Sequence, residues 1–160
     1  MQIDKSNQFV APNLGKNEMF PYNSTPDENK PSNIIYREEY CGYPIFIKSI
    51  CDMFPSCYVD VLQDNLDVYA RPARFNKQNP KFDITYADNY LMLNADSAYD
   101  GAVVGWHYAH PGQFCAAIPQ YGGKKYTIAE ILEDAHHFVD DVLVKNNIKT
   151  VLSVRKRNFK

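Results

Sequence analysis

The chain has 160 residues, of which 45% are hydrophobic and 22% are charged, and its formal net charge is −2. This length favours one domain with a sizeable core, and the charge gives no basis for sequence-specific nucleic-acid binding, which usually needs a basic face. The sequence has no run of about 18 apolar residues and no apolar start of signal-peptide length. We therefore expect a cytoplasmic protein with no membrane partner.

The four cysteines are Cys41, Cys51, Cys57 and Cys115. No two of them are separated by two residues, so the usual spacing of a zinc ribbon is absent. In a cytosol these thiols are expected to be reduced. We predict no metal and no cofactor, with a zinc site from Cys41, Cys51 or Cys57 and a histidine as the alternative.

Residues 1–33 are rich in Asn, Pro and Ser and show neither a strand nor a helix period. They predict an extended N-terminal arm. Its apolar residues indicate that the arm packs on something, either its own domain or a second subunit of a homo-oligomer; these residues are Phe9, Val10, Met19, Phe20 and Tyr22.

Residues 34–50 read as a β-hairpin that turns at Cys41-Gly42, and residues 56–65 read as the next strand. The stretch 67–81 carries two prolines and several basic residues and is predicted to be a long loop, a kind of segment that often binds a ligand. Residues 82–94 predict a strand, a turn at Ala87–Asn89 and a second short strand. The sequence "AVVGWHYAH" predicts a central strand followed by the turn "HPGQ".

The strongest local signal is a helix at about 127–146. Thr127 and Glu130 form a capping-box pattern, and apolar residues follow at helical spacing. Asn146 and Asn147 are expected to cap its end, and "IKTVLSV" is expected to form a final strand. The order predicts an α+β fold: an antiparallel or mixed sheet with one main helix across one face, in a single domain at 34–160 preceded by the arm.

The turn after the central strand holds the candidate site. In a continued strand, Trp106, Tyr108 and His110 share one face, and His107 lies on the other between Gly105 and Ala109, which leaves space for a ligand. A partly buried histidine bonded to a backbone carbonyl is the alternative for His107. His136 and His137 are expected at the edge and on the exposed face of the helix.

Two further features could complete a site. Asp88 and Asn89 suit a turn, although Tyr86 and Asp88 could also converge with His107 and His110 for acid–base work. The loop "YGGKKYT" brings Lys124 to a helix start, where a phosphate can bind, although a plain loop explains it as well. Arg71 and Arg74 could meet negative charge. The sequence contains no nucleophile elbow, dinucleotide fingerprint or zinc-protease motif.

The layout "YCGYPIFI", "ITYAD" and "GWHYAHPGQF", followed by a helix opened by "YT", resembles a group of short, mostly uncharacterised phage and prophage accessory proteins. The resemblance covers about residues 36–145. It marks the positions Tyr86, Gly105, Trp106, Ala109, His110 and Gly112. The chain departs from the group at His107 and Gln113, where acidic residues are usual, which weakens a metal or acid–base mechanism at those positions. The resemblance implies a protein of the infected bacterial cytoplasm that binds a host protein or sequesters a nucleotide-like immune signal.

The sequence thus leaves three hypotheses. The first is a protein that binds and sequesters a small nucleotide-like ligand between the 67–81 loop, the 107–112 turn and the 121–127 loop, using Arg71 or Arg74 for charge and Trp106 or Tyr86 for stacking. On this hypothesis, replacing Trp106 or His110 by alanine removes the ligand but keeps the fold.

The second hypothesis is an inhibitor that binds a host protein through the arm and a sheet edge, so that deleting residues 1–30 leaves the core folded. The third is a small hydrolase using His110 with Asp88 or His107.

Overall fold

The computed structural model describes residues 2–3, 14–23, 25, 27, 29, 32–78, 83–149 and 152, with backbone alone at 2–3 and 77–78. Within these residues the chain forms an α+β fold, as the sequence predicts. The arm residues Phe9 and Val10 lie outside the described residues.

Among the described residues the sheet has six strands, of which five pair antiparallel with one another. These five are β2 (Asn33–Tyr40), β3 (Tyr43–Ile50), β4 (Phe54–Asp60), β5 (Tyr86–Met92) and β6 (Ser97–His107). The strand order is β5-β6-β4-β3-β2, and β1 (Gln2–Ile3) pairs in parallel with the start of β6, on the side opposite β5. The predicted central strand is confirmed, because β6 pairs with neighbours on both sides.

The main helix, α2 (Ile128–Phe138), continues through a π-helical segment at Val139–Val144 and remains helical to residue 149. The predicted capping box is present: Glu130 N–H donates to the Thr127 hydroxyl at 3.2 Å, and Thr127 N–H donates to the Glu130 carboxylate at 3.0 Å. The apolar stripe of the helix packs on one face of the sheet and forms the main core. A smaller apolar cluster covers part of the other sheet face, which we call the outer face; its buried members are Ile34, Phe46, Tyr58, Leu91, Leu93, Tyr99 and Val103.

The predicted loop at 67–81 is wrong for most of its length. It contains a short helix, α1 (Leu66–Ala70), and a 3-10 segment at Pro72–Gln78. Val68 and Phe75 are buried in the main core, so burial of two widely spaced apolar side chains orders a stretch whose composition resembles a loop. Pro72 begins the second segment, where its missing N–H costs no helical hydrogen bond.

The predicted turn at Ala87–Asn89 is also wrong. β5 runs through it, and only the pairing register with β6 shifts, between Asp88 and Tyr90. Turn-forming residues can lie in such an irregularity because the pairing on either side of it supplies the backbone hydrogen bonds.

The predicted final strand is wrong at the positions that the structure describes, since residues 148, 149 and 152 are helical. Extending an existing helix fixes only one residue for each new hydrogen bond, so the helix can include the β-branched Ile148, which favours a strand in isolation. Asn146 and Asn147 accordingly lie inside the helix and do not end it. Asn147 donates to the Tyr43 hydroxyl at 2.7 Å, and Asn146 donates to Asn65 at 2.9 Å.

Residues 14–23 of the arm dock on their own domain. Phe20 is buried, and its N–H donates to the carbonyl of Tyr126 at 2.9 Å. The carbonyls of Lys16 and Glu18 accept from the amides of Ala129 and Ile128, at 2.7 and 2.9 Å. This part of the arm therefore satisfies two otherwise unpaired N–H groups at the start of α2.

Candidate functional site

The turn after β6 is closed by one side chain. Gln113 Oε1 accepts from the backbone N–H of His110 at 2.8 Å, and Gln113 Nε2 donates to the Tyr126 hydroxyl at 3.2 Å. The Gln113 N–H donates to the His110 carbonyl at 2.9 Å. Gly112 has a φ of +89°, a backbone conformation that favours glycine. These contacts fix the path of residues 110–113 and join the turn to Tyr126.

The segment before α2 lies against this turn. Lys124 N–H donates to the Gly112 carbonyl at 2.8 Å, and Phe114 N–H donates to the Lys124 carbonyl at 2.9 Å. Gly123 has a φ of +114°, and a Cβ added to it would lie 2.6 Å from the Gln113 carbonyl carbon. Of the two glycines that suggested a phosphate loop in the sequence, Gly123 thus serves a close backbone approach, whereas Gly122 has a φ of +62° and open space around an added Cβ.

Between the turn and the first turns of α2 lies a cleft of about 570 Å³, which we call the turn–helix cleft. Its lining combines hydrogen-bonding, charged and aromatic side chains with a proline and a glycine: His110, Pro111, Gly112, Gln113, Lys124, Tyr126, Glu130, Glu133 and Asp134. A second cavity of about 450 Å³ lies beside the same turn and shares residues 110–113 with the first. His110 thus borders both.

Two of the charged groups in the cleft bind each other. Lys124 Nζ lies 2.7 Å from Glu130 Oε2. This contact, together with the Thr127 N–H, lowers the pKa of Glu130, and the same contact raises the pKa of Lys124. Because Glu130 also completes the capping box, its carboxylate is held by the helix start.

Three carboxylates of α2 line the cleft, those of Glu130, Glu133 and Asp134, and the Asp134 carboxylate is buried. Asp134 is 7% exposed, and the Tyr108 hydroxyl lies 2.9 Å from its Oδ2. The indole Nε1–H of Trp106 donates to the Tyr108 oxygen at 3.1 Å. Burial raises the pKa of Tyr108 well above its ordinary value. A hydrogen-bonded chain therefore runs from the central strand through the core to the wall of the cleft.

His107 and His110 stack with ring centroids 4.4 Å apart. β6 ends at His107, so His110 lies in the turn, where its ring approaches the ring of His107. The expectation that His110 shares a face with Trp106 assumed a continued strand and is therefore wrong. Burial, and then the neighbouring His110, lower the pKa of His107. The His107 ring is therefore neutral at neutral pH, and its Nδ1 lies 3.3 Å from the Thr85 hydroxyl.

A separate cavity of about 310 Å³ lies on the outer face, where His107 and Tyr86 line it. The tyrosine rings of Tyr58 and Tyr86 pack edge to face at 5.2 Å. The expected open space beside His107 at Gly105 is filled, because the Tyr58 ring lies against Gly105 and an added Cβ would also lie 2.6 Å from the Cys57 carbonyl oxygen.

The predicted site residues thus fall into separate groups. His110 and Lys124 line the turn–helix cleft, whereas His107 and Tyr86 line the outer-face cavity. Trp106 also lines the outer-face cavity, although it is 1% exposed and its ring packs against Phe138 in the main core.

The two arginines lie away from the cleft. Arg71 caps the end of α1, and α1 follows the end of β4. His107, which lies beside the turn, pairs with Ser56 near the start of the same strand. Neither Arg71 nor Arg74 lines either cavity at His110. Asp88 pairs with Val103 in the sheet, and its carboxylate accepts from Asn89 N–H at 2.8 Å.

Sequence reasoning missed Asp134, Tyr126 and the role of Tyr108. A signal for Asp134 exists: it lies one residue before Ala135, close to the apolar stripe of the helix, where a carboxylate needs a partner. Tyr126 and Gln113 offered no comparable signal, because only the closed turn brings them together.

Scans against protein-family models, curated proteins and solved structures found no match. No group of three or more His, Cys, Asp and Glu side chains that could hold a metal ion occurs among the described residues. Within the same residues, none of the helices has both the length and the apolar character to cross a membrane.

Proposed function

We propose that this protein binds and sequesters a small nucleotide-like ligand in the turn–helix cleft. The observation that carries the proposal is the convergence of an imidazole, an ammonium group, a phenol ring and carboxylates on one cleft of about 570 Å³. Ligand sites are typically concavities of this size in which a few placed polar groups fix the orientation of the ligand.

The arrangement suits the two ends of such a ligand differently. The Lys124 side chain is 55% exposed, and its Nζ lies 4.9 Å from the ring centroid of Tyr126, so it can meet an anionic group near solvent. The three carboxylates Glu130, Glu133 and Asp134 outnumber this one ammonium group and disfavour a phosphate deeper in the cleft. The base and ribose are therefore assigned to the carboxylate side.

Binding is better supported than hydrolysis. Among the described residues, no hydrogen bond or ion pair joins the His110 ring to a carboxylate, and Asp88 bonds within its own strand. A general base needs such a partner, or a substrate proton within reach, to work efficiently. The hydrolase hypothesis therefore ranks below binding.

The host-protein hypothesis is also less supported, because residues 14–23 of the arm are engaged with α2 and Tyr126 in their own chain. An arm occupied in this way is not free to wrap a partner or to join a second copy through the same residues. The resemblance to phage accessory proteins supports the remaining part of the proposal, that the ligand is an immune signal held in the cytoplasm of an infected bacterium.

Native mass spectrometry of the purified protein, incubated with linear, cyclic and ADP-ribose-type nucleotides, tests the proposal. We expect one bound small molecule for each chain in the parent and at least a tenfold weaker complex in His110→Ala. His137→Ala is the matched control, because the His137 side chain is 57% exposed on the far part of α2. No bound mass in the parent, or equal binding by His110→Ala, would contradict the proposal.

A further inference from the structure

We propose that the outer-face cavity is a second binding site, which takes a small aromatic carboxylate and uses Lys48 as the cation that meets it. This inference goes beyond the proposed function, because the outer-face cavity and the turn–helix cleft have no lining residue in common. It is carried by a row of polar side chains across three strands and by the aromatic rings that line the cavity.

The row of polar side chains follows from the strand register. Ser56 pairs with Lys48 on β3 and with His107 on β6, so the three residues lie side by side on one face of the sheet. Directly opposite side chains have Cβ atoms about 4.5–5.5 Å apart. Ser56 and His107 line the cavity, and so does Ile50, which follows Lys48 on the same face of β3. The flexible four-carbon stem of Lys48 can therefore bring its ammonium group to the rim of the cavity.

Lys48 is a half-buried cation in surroundings that lack a compensating anion. Within the part of the chain that the structure describes, no carboxylate lines the cavity or forms an ion pair with Lys48. Its partner on β2 is the buried, apolar Ile34. Burial lowers the pKa of Lys48, and the nearby Cys51 opposes this to a smaller extent. An anion at the rim would offset the cost of burying the ammonium charge, whereas a ligand cation would add to that cost.

Aromatic side chains supply much of the cavity wall. The rings of Tyr58 and Tyr86 pack edge to face with centroids 5.2 Å apart, and the ring centroids of Phe54 and His107 are 6.1 Å apart. All four residues line the cavity. Aromatic rings attract a further ring through edge-to-face and offset contacts. The volume of about 310 Å³ is at the lower end for a ligand site and therefore favours a small ring system.

The polar groups beside these rings suit a carboxylate. The hydroxyls of Ser56 and Thr85 line the cavity and can donate hydrogen bonds, which a carboxylate accepts. The His107 ring is neutral at neutral pH, because burial and then His110 lower its pKa. It therefore offers a hydrogen-bonding group without a charge. The attraction for an anion thus depends on Lys48.

An amide ¹⁵N–¹H NMR titration of the intact protein at neutral pH with three small molecules tests the inference. The probes are benzoate, benzamide, which has the ring without the charge, and cyclohexanecarboxylate, which has the charge without an aromatic ring. We expect benzoate to shift the signals of Ser56, Tyr86 and His107 saturably. It should bind at least about tenfold more tightly than benzamide and at least about threefold more tightly than cyclohexanecarboxylate.

Each alternative result removes one part of the inference. Equal affinity for benzoate and benzamide would contradict the role of the charge. Equal affinity for benzoate and cyclohexanecarboxylate would contradict the preference for an aromatic ligand. The absence of any saturable shift would overturn the site itself.

Two variants test Lys48. Lys48→Met keeps an unbranched apolar stem but removes the charge, so we expect benzoate to bind about tenfold more weakly and benzamide to bind as before. Lys48→Arg keeps the charge and should retain the preference for benzoate. Lys145→Met is the matched control, because the Lys145 side chain is 64% exposed and lies 3.6 Å from Asp141 on the helix surface. Unchanged benzoate binding by Lys48→Met, or an equal loss in Lys145→Met, would contradict the assignment.

The two proposals can fail separately. If benzoate binds at His107 and no nucleotide binds, the proposed function is wrong and the second site stands. If a nucleotide binds and His110→Ala loses it, but benzoate produces no saturable shift, the second site is wrong and the proposed function stands.

Discussion

Replacing Phe20 by alanine is expected to lower the free energy of unfolding by about 3–5 kcal/mol, the usual cost of emptying a buried phenylalanine site. Phe20 is 1% exposed and packs against Tyr22 with ring centroids 4.7 Å apart. Tyr22 in turn contacts Phe114 at 5.0 Å and accepts from Tyr126 N–H at 3.2 Å. The substitution therefore loosens both the arm and the cleft wall that contains Tyr126.

Urea denaturation followed by circular dichroism measures this effect. The control is Met19→Ala at the neighbouring position, where the side chain is 48% exposed and we expect a change below about 1 kcal/mol. Equal stability of Phe20→Ala and the parent would show that the arm does not dock in cis in solution. The same reasoning predicts that deleting residues 1–30 destabilises the core, contrary to the expectation from sequence that the core remains folded.

Replacing Trp106 by alanine is also expected to lower the free energy of unfolding by about 3–5 kcal/mol, because the indole is buried at the centre of the main core. Its ring packs edge to face on Phe138 at 5.3 Å, and its N–H holds the Tyr108 oxygen at 3.1 Å. The variant thus leaves a cavity and removes a donor from the chain that leads to Asp134.

Thermal and urea unfolding of Trp106→Ala should show this loss, whereas Tyr121→Ala is the control, since Tyr121 is 78% exposed. The expectation from sequence that Trp106→Ala keeps the fold and removes only a stacked ligand does not fit this burial. A Trp106→Ala variant as stable as the parent would contradict the placement of the indole in the core.

The parts of the fold that were predictable depend on local signals. The capping box at Thr127 and Glu130, the Cys41-Gly42 turn and the alternating strands each act over a few residues, and each is present in the structure. The segment at 66–78 was missed because its order comes from burial of Val68 and Phe75 in a distant core. Composition cannot show that effect.

The cleft was only partly predictable for the same reason. His110 and Lys124 were identified from turn and helix-start patterns. Asp134 lies 26 residues from Tyr108, and the arm reaches Tyr126 from about a hundred residues away. Such pairings depend on the packing of α2 across the sheet, so a pattern within one short segment cannot reveal them.

The central claim is that the turn–helix cleft is the ligand site. The most direct measurement is an amide ¹⁵N–¹H NMR titration of the intact protein with the pooled panel of nucleosides and linear, cyclic and ADP-ribose-type nucleotides. We expect the largest shifts at Gly112, Gln113, Lys124 and Asp134, which border the cleft. Shifts confined to the outer-face cavity at Tyr58 and Tyr86, or no shifts at all, would contradict this account.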